Sequence, residues 1–255
     1  MRAHLSEIAA DVIIPVCNQY SFTRNLLEGI YRYTDVPFHI YIIDNASTDE
    51  TIDLHKIYTR DITIIRNRDN RGWCAGINQG IQLGQNPYLL FMNNDVEVSQ
   101  GWSGNMISFL DTHPRIGAVG PLHSGPGDWQ CVDRVREKIV PQIPHFITDD
   151  LHERNRILKY HFQRAGILVE GELAFFCVAL KRRTVNAVGL LDEGAVGGSD
   201  DEDYCRRLRK SGYVLGLSLD TYVLHHSNST AKIATEKRVR RDSRKRNTDR
   251  PDMYE

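Results

Sequence analysis

Residues 11–92 alternate between runs that read as strands and runs that read as helices. Nothing else in the chain constrains its fold as much. The runs 11–16, 39–43 and 62–65 are rich in β-branched residues, and 88–92 is wholly apolar, so each predicts a buried strand. Between the first two, Phe22, Leu26, Leu27, Ile30 and Tyr31 recur at helical spacing. Ser47-Thr48-Asp49-Glu50 has the Ser-x-x-Glu spacing of a capping box and predicts a helix start. The turn Asn70-Arg71-Gly72 leads into a helix of small residues through Ala75, Gly76, Asn78 and Gly80. Such alternation predicts an α/β fold with a doubly wound, mostly parallel sheet.

The second half is less regular. Strands are expected at 116–120, 173–180, 213–217 and 222–224, and a helix at 200–211 stopped by Gly212. Helix is also expected within 149–162, in an otherwise unassigned segment rich in Pro, His and charge. From Lys232 onward the chain is polar and basic, and 232–255 reads as a mobile tail.

Composition narrows the function classes. A net charge of −1 gives no global field for nucleic acid. Five scattered cysteines without a C-x-x-C suggest neither a zinc site nor a disulfide framework, and fit reduced thiols in the cytoplasm. Residues 1–10 lack the apolar core of a signal peptide, and no stretch approaches the ~20 apolar residues of a membrane span. The first strand is followed by no G-x-G-x-x-G, which argues against a dinucleotide oxidoreductase.

Polar residues collect where strands end. Asp44 closes the second predicted strand, Asn93-Asn94-Asp95 closes the fourth, and His225-His226 closes the last. The cluster Asp200-Asp201-Glu202-Asp203 opens a helix. Parallel strands bring such ends to one edge of the sheet, the edge at which open α/β folds bind ligands. Four consecutive acids repel one another unless a cation or hydrogen-bond donors offset them.

These pieces, in this order, resemble the family 2 glycosyltransferases of the GT-A fold, a group that includes bacterial rhamnosyl- and galactosyltransferases. The matching elements begin with Val12-Ile13-Ile14-Pro15-Val16-Cys17-Asn18 and Ile42 to Asp49. They continue with Asn67 to Gly80, Asn93-Asn94-Asp95 at the D-x-D position, and Gly189 to Glu193. Asp200 to Asp203 with Arg206, Gly212-Tyr213 and His225 complete the set.

The resemblance implies a role for each site residue. Pro15, Val16, Asn18 and Asp44 line the nucleotide pocket, with Asp44 accepting from an N–H of uracil or thymine. Asn70, Arg71, Gly72 and Asn78 pack near the nucleotide. Asn93 and Asn94 belong to the donor site, Asn94 facing the ribose. Asp95 binds Mn²⁺ or Mg²⁺, with His225 as a further metal ligand and His226 as its open alternative. Asp201 is the general base of an inverting transfer, with Asp200 and Asp203 as neighbouring candidates. Asn93 stands where the family motif starts with Asp, so weaker metal affinity is expected.

The implied activity is metal-dependent transfer of a sugar from a nucleoside-diphosphate sugar, UDP first and dTDP next, to a hydroxyl of a glycan or lipid-linked acceptor. The alternative is a catalytically inactive nucleotide-sugar or carbohydrate-binding module. One catalytic domain is expected over 1–231, with a nucleotide half at about 1–121 and an acceptor half at about 122–231. The basic tail adds an expected peripheral contact with the inner face of the membrane.

Overall fold

The computed structural model describes residues 9–125, 128–138, 140–143, 148–194 and 199–226. The basic tail and its expected membrane contact lie outside these residues. Eight strands form the main sheet: β1 (Ala10–Val16), β2 (Phe38–Asp44), β3 (Ile62–Arg66), β4 (Tyr88–Met92), β6 (Ile116–Leu122), β7 (Gly166–Val169), β8 (Cys177–Lys181) and β9 (Val214–Tyr222). Their order is β3-β2-β1-β4-β8-β6-β9-β7. Two short strands, β5 (Val96–Glu97) and β10 (Leu224–His225), pair antiparallel beside it.

The doubly wound expectation is met, with one informative reversal. β3, β2, β1 and β4 run parallel, as do β6 and β9. β8 is antiparallel to both of its neighbours, β4 and β6. β6 and β9 therefore run the same way as β4, and their carboxyl ends share its edge. The amino end of β8 lies on that edge too. The order of strands reverses between β1 and β4, which opens the crevice where such sheets bind ligands.

Helices cover both faces. Alternate strand residues divide between two cores, as the period of two requires. Val12, Ile14, Leu90 and Met92 pack with α1 (Tyr20–Tyr33) and α4 (Trp102–Thr112). Ile13, Leu89, Phe91, Val178 and Leu180 pack with α3 (Trp73–Leu83) and α8 (Asp200–Lys210). α3 lies very close to β1: a Cβ on Gly80 would stand 2.3 Å from Ile13 Cγ2, and one on Gly76 2.8 Å from Pro15 Cβ. The small residues of α3 make that approach sterically feasible.

Several expectations are corrected. Ser47-x-x-Glu50 is not a capping box. A 3₁₀ turn at Glu50–Asp53 is capped by Asp49, whose side chain accepts from Thr51 N at 3.1 Å, and α2 (Leu54–Ile57) follows it. Ser47 Oγ instead accepts from Asn18 N at 2.7 Å. The strand expected from Leu173 begins only at Cys177, and 214–222 is one continuous strand. α4, α5 (Val132–Lys138), β7 and α7 (Arg182–Val188) were not expected from the sequence. α6 (Leu151–Phe162) falls within the anticipated segment.

α4 escapes sequence reading because its start is capped from far away. Asp35 Oδ1 accepts from Ser103 Oγ and from Gly104 N, each at 2.9 Å. A cap supplied by a residue nearly seventy positions upstream leaves no local signature. Among the described residues no helix is long and apolar enough to cross a membrane.

Candidate active site

The edge at the carboxyl ends of β1, β2, β4, β6 and β9 carries the polar residues singled out above. Asp44 ends β2 and is 2% exposed. Its Oδ1 accepts from Ser47 N at 2.8 Å, and its Oδ2 is ion-paired with Arg66 at the end of β3. Arg66 Nη2 also donates to Ser47 O at 2.7 Å. The carboxylate and guanidinium thus bracket the loop after β2. An ionised carboxylate has about four acceptor positions, so Asp44 retains capacity beyond these two bonds.

Asn18 sits in the left-handed region, with φ 61°, just past β1. Its Oδ1 accepts from Thr48 N at 2.7 Å, so the loops after β1 and β2 are tied together. Asn45 Nδ2 donates to Gly72 O at 3.0 Å, and Asn45 Oδ1 accepts from Asn67 Nδ2 at 2.8 Å. Asn67 and Gln79 exchange amide bonds at 2.8 and 2.9 Å. The turn Asn70-Arg71-Gly72 is thereby held at this edge, and Gly72 has φ 88°. Arg71 lies 3.5 Å from Glu193. Pro15 and Val16 are buried, the Pro15 ring lying close under Gly76.

Asn78 is bonded to the 191–193 loop, whose Glu193 also lies against Arg71. Its amide donates to Leu191 O at 2.9 Å and to Glu193 Oε1 at 3.1 Å, and its Oδ1 accepts from Leu191 N at 3.0 Å. It latches the loop 191–193 onto α3.

The tripeptide after β4 divides its work. Asn93 N donates to Phe176 O at 2.8 Å, and Asn93 Nδ2 lies 3.5 Å from His225 Nε2. Asn94 is buried and donates to Thr23 Oγ1 at 3.0 Å. Asp95 is 4% exposed, and its Oδ1 lies 3.4 Å from Nε2 of His225 on β10. Phe176 stacks on the His225 ring with centroids 4.5 Å apart. His225 is thus placed beside Asp95.

α8 presents its acids with different partners. Asp203 is ion-paired with Arg206 and with Arg207, the latter at 2.7 Å. Asp200 accepts from Cys74 Sγ at 3.5 Å. Glu202 is exposed. Asp201 is the one pushed strongly upward in pKa, to about 7. Burial is the main cause, followed by repulsion from Asp200; Asp128 and Glu202 add smaller repulsions, and the Phe175 N–H opposes them by donating to the carboxylate.

The sequence reading did not single out Arg66, His123 or Asp128, and it took Ser47 for a helix cap. His123 follows β6 directly, and its Nε2 faces both oxygens of Asp128 at 2.9 and 2.8 Å. Its ring lies 4.7 Å from Phe176 and 6.4 Å from His225, centroid to centroid. The available signal was the one that marked Asp44 and Asp95, a polar residue just past a strand. It was missed because β6 runs on through Pro121 to Leu122.

The switch-point edge of an open α/β sheet is where such folds bind ligands, and a carboxylate with a raised pKa close to that edge marks a candidate catalytic site. The model of Glycosyl transferase family 2 matches residues 11–182, more than half of the chain. The chain belongs to that family and is a glycosyltransferase.

An N-acetylglucosaminyl-diphospho-decaprenol L-rhamnosyltransferase of Mycobacterium tuberculosis is 25% identical over 241 residues, 87% of this chain and 78% of the relative. An uncharacterized glycosyltransferase of Haemophilus influenzae is 29% identical over 108 residues, 42% of this chain and 36% of the relative. A mannosyltransferase from Pyrobaculum calidifontis, solved with GDP-Man and Mn²⁺, superposes with a TM-score of 0.59 at 16% identity, covering 87% of this chain and 57% of that one. GalNAc-T7, solved with UDP, GalNAc and Mn²⁺, gives a TM-score of 0.62 at 16% identity, covering 86% and 44%. These likenesses bear on the GT-A fold, and the chain spans only about half the length of those solved chains.

Proposed function

We propose that the chain transfers a sugar from a nucleoside-diphosphate sugar to a hydroxyl of a glycan or lipid-linked acceptor, with inversion, using Asp201 as general base. The observation that carries the reading is Asp201 itself. Half-buried at the ligand edge and with its pKa raised to about 7, it is matched to accept a proton at neutral pH.

In this reading the acceptor oxygen attacks the anomeric carbon from the face opposite the leaving group. Its proton passes to Asp201. The bond from carbon to the diphosphate oxygen breaks, and its electron pair stays on the diphosphate. One displacement inverts the anomeric centre. Asp44 accepts from a base N–H, with uracil first and thymine next. Asn18, Asn94 and the 70–72 turn shape the ribose and diphosphate side.

Asp95 and His225 suit a hard divalent cation. They would hold a Mn²⁺ or Mg²⁺, a cation that needs only one or two protein ligands where substrate and water oxygens are at hand. The described residues supply that much and no more: none of their His, Cys, Asp and Glu side chains form a group of three able to hold an ion. When bound, the cation offsets the negative charge that develops on the leaving diphosphate. Asn93 in place of an acid keeps the predicted affinity modest.

Two similarities support the reading without deciding donor or acceptor. The mycobacterial relative carries a lipid-linked acceptor in its name, and two solved neighbours hold a nucleotide or nucleotide sugar with Mn²⁺. The test is a thermal-shift screen of UDP-, dTDP- and GDP-sugars, each with and without Mn²⁺. A ligand that binds only the folded state raises Tm with its concentration. The expected result is a Mn²⁺-dependent shift with UDP- or dTDP-sugars, and no shift with any nucleotide sugar overturns the proposal.

A further inference from the structure

Residues 174–176, leading into β8, bind three parts of the site in consecutive positions. Ala174 N donates to Gln130 Oε1 at 2.7 Å. The Phe175 N–H holds the pKa of Asp201 down. Phe176 O accepts from Asn93 N, and its ring stacks on His225. The short segment 128–130 is thus fixed to the same three residues that hold the base and the metal-side histidine.

Within that segment, every described contact keeps Asp128 still. Gly125 N donates to His123 Nδ1 at 2.8 Å, so the ring proton belongs on Nε2, where it faces the two Asp128 oxygens. Gln130 N donates to Asp128 Oδ1 at 2.8 Å. Gln130 is itself fully buried and donates to Pro121 O at 3.2 Å. Arg134 covers the ring of Trp129 at 4.1 Å, and the ring packs against Gly171.

His123 is 2% exposed at its side chain, whereas Asp128 is 31% exposed. A buried, tautomer-fixed histidine therefore holds an accessible carboxylate from behind. Asp128 is thus a carboxylate near enough to Asp201 to repel it, with acceptor capacity beyond the bonds described.

We propose that Asp128 receives a hydroxyl of the acceptor sugar next to the one that attacks, and so orients the acceptor toward Asp201. The proposal rests on the glycosyl-transfer reading above. A sugar acceptor presents neighbouring hydroxyls, and two carboxylates facing it can divide them: one takes the proton, the other only accepts a hydrogen bond. A site built to hold a substrate hydroxyl discriminates strongly against an analogue that lacks it.

The test compares wild type with Asp128→Asn and Asp128→Glu. The donors are UDP- and dTDP-sugars, and the acceptors are a short-chain N-acetylglucosaminyl diphospholipid and its monodeoxy analogues. Asp128→Asn should lower kcat/KM for the full acceptor by about 10- to 100-fold, the range for a hydrogen bond to a charged group. Asp128→Glu should recover part of that loss. The thermal shift given by UDP or dTDP should be the same in all three proteins.

One monodeoxy acceptor should be poor for wild type yet no worse than the full acceptor for Asp128→Asn. An unchanged acceptor kcat/KM in Asp128→Asn overturns the proposal, as does equal sensitivity of both proteins to every deoxy acceptor. Loss of the nucleotide shift in that variant also overturns it and gives Asp128 a structural role. A wild type that transfers no sugar overturns the glycosyl-transfer reading, and this assignment with it.

Discussion

Asp95 Oδ1 and His225 Nε2 lie 3.4 Å apart, one just past β4 and the other on β10. The short pairing of β10 with β5 sets this distance, since His225 is in register with Val96, the residue after Asp95. Asp95→Asn removes the only carboxylate of the tripeptide and should cut transfer by at least about 100-fold, a typical cost of losing one charge-stabilising group. It should also abolish any Mn²⁺-induced rise in Tm. Asn93→Asp should act in the opposite direction, since it places a carboxylate near His225. The expected result is half-maximal activity at a lower Mn²⁺ concentration, measured by titrating metal into chelator-stripped protein. Full activity in excess chelator would remove the cation from the mechanism.

Asp201→Asn should lower transfer by about 10²- to 10⁴-fold, the usual contribution of a general base, while the thermal shift with nucleotide persists. In wild type, log kcat/KM should rise with pH until about 7 and then level, because the carboxylate must be ionised to act. Near wild-type turnover in the variant would move the base to another acid.

The same carboxyl group carries a stability signature. Its pKa in the folded chain lies above its ordinary 3.8, so between about pH 4 and 7 the folded state binds more protons than the unfolded state. The stabilisation is complete below about pH 4 and is lost as pH rises through 7. Asp201→Asn should therefore unfold at a higher Tm than wild type at pH 8 and at a similar Tm at pH 4. A Tm difference independent of pH would contradict the assigned burial.

Arg66→Ala leaves Asp44, a nearly buried carboxylate, without its guanidinium. The expected destabilisation is about 1–3 kcal/mol in urea unfolding, because Ser47 N still satisfies one oxygen. Nucleotide affinity should fall as well, since the loop after β2 loses its brace. Tight nucleotide binding in a destabilised variant would separate the brace from the pocket.

Gly80→Ala tests the close approach of α3 to β1. Its methyl would meet Ile13 at 2.3 Å, a contact that real structures do not tolerate without movement. Overpacking of this kind costs about 1–3 kcal/mol, although alanine is the better helix former. Pairing it with Ile13→Val, which trims the facing side chain, should restore part of the loss.

What the sequence disclosed, and what it hid, follows from the range of the interactions involved. β1 to β4 were legible because each is a short apolar run between polar breaks. Asp44, Asp95 and His225 were legible because each stands at or just beside the end of such a run. α4 was not, because its first turn is capped by Asp35 in a preceding loop. Ser47 misled because its hydroxyl serves Asn18 across a gap of 29 residues, whereas a capping box is local. His123 and Asp128 were hidden by β6 itself: Pro121 reads as a break, yet it stays in the strand beside Ser218, just before a shift of register. Which acid among 200–203 has the raised pKa could not be chosen from composition. Its neighbours are set apart only by Cys74, Arg206 and Arg207.

Helix α3 joins parts of the site that come from distant stretches of chain. At its entrance Gly72 O is held by Asn45, within its first turn Cys74 reaches Asp200, and farther along Asn78 grips Leu191 and Glu193. A rod wedged this tightly against β1 has little freedom to bend. A push on the nucleotide loop would therefore travel along it as a displacement of the whole rod, and both the 191–193 loop and the start of α8 would move with it. Under the proposed function, donor arrival and the posture of the helix that carries Asp201 would in this way be geared to one another by a single stiff part.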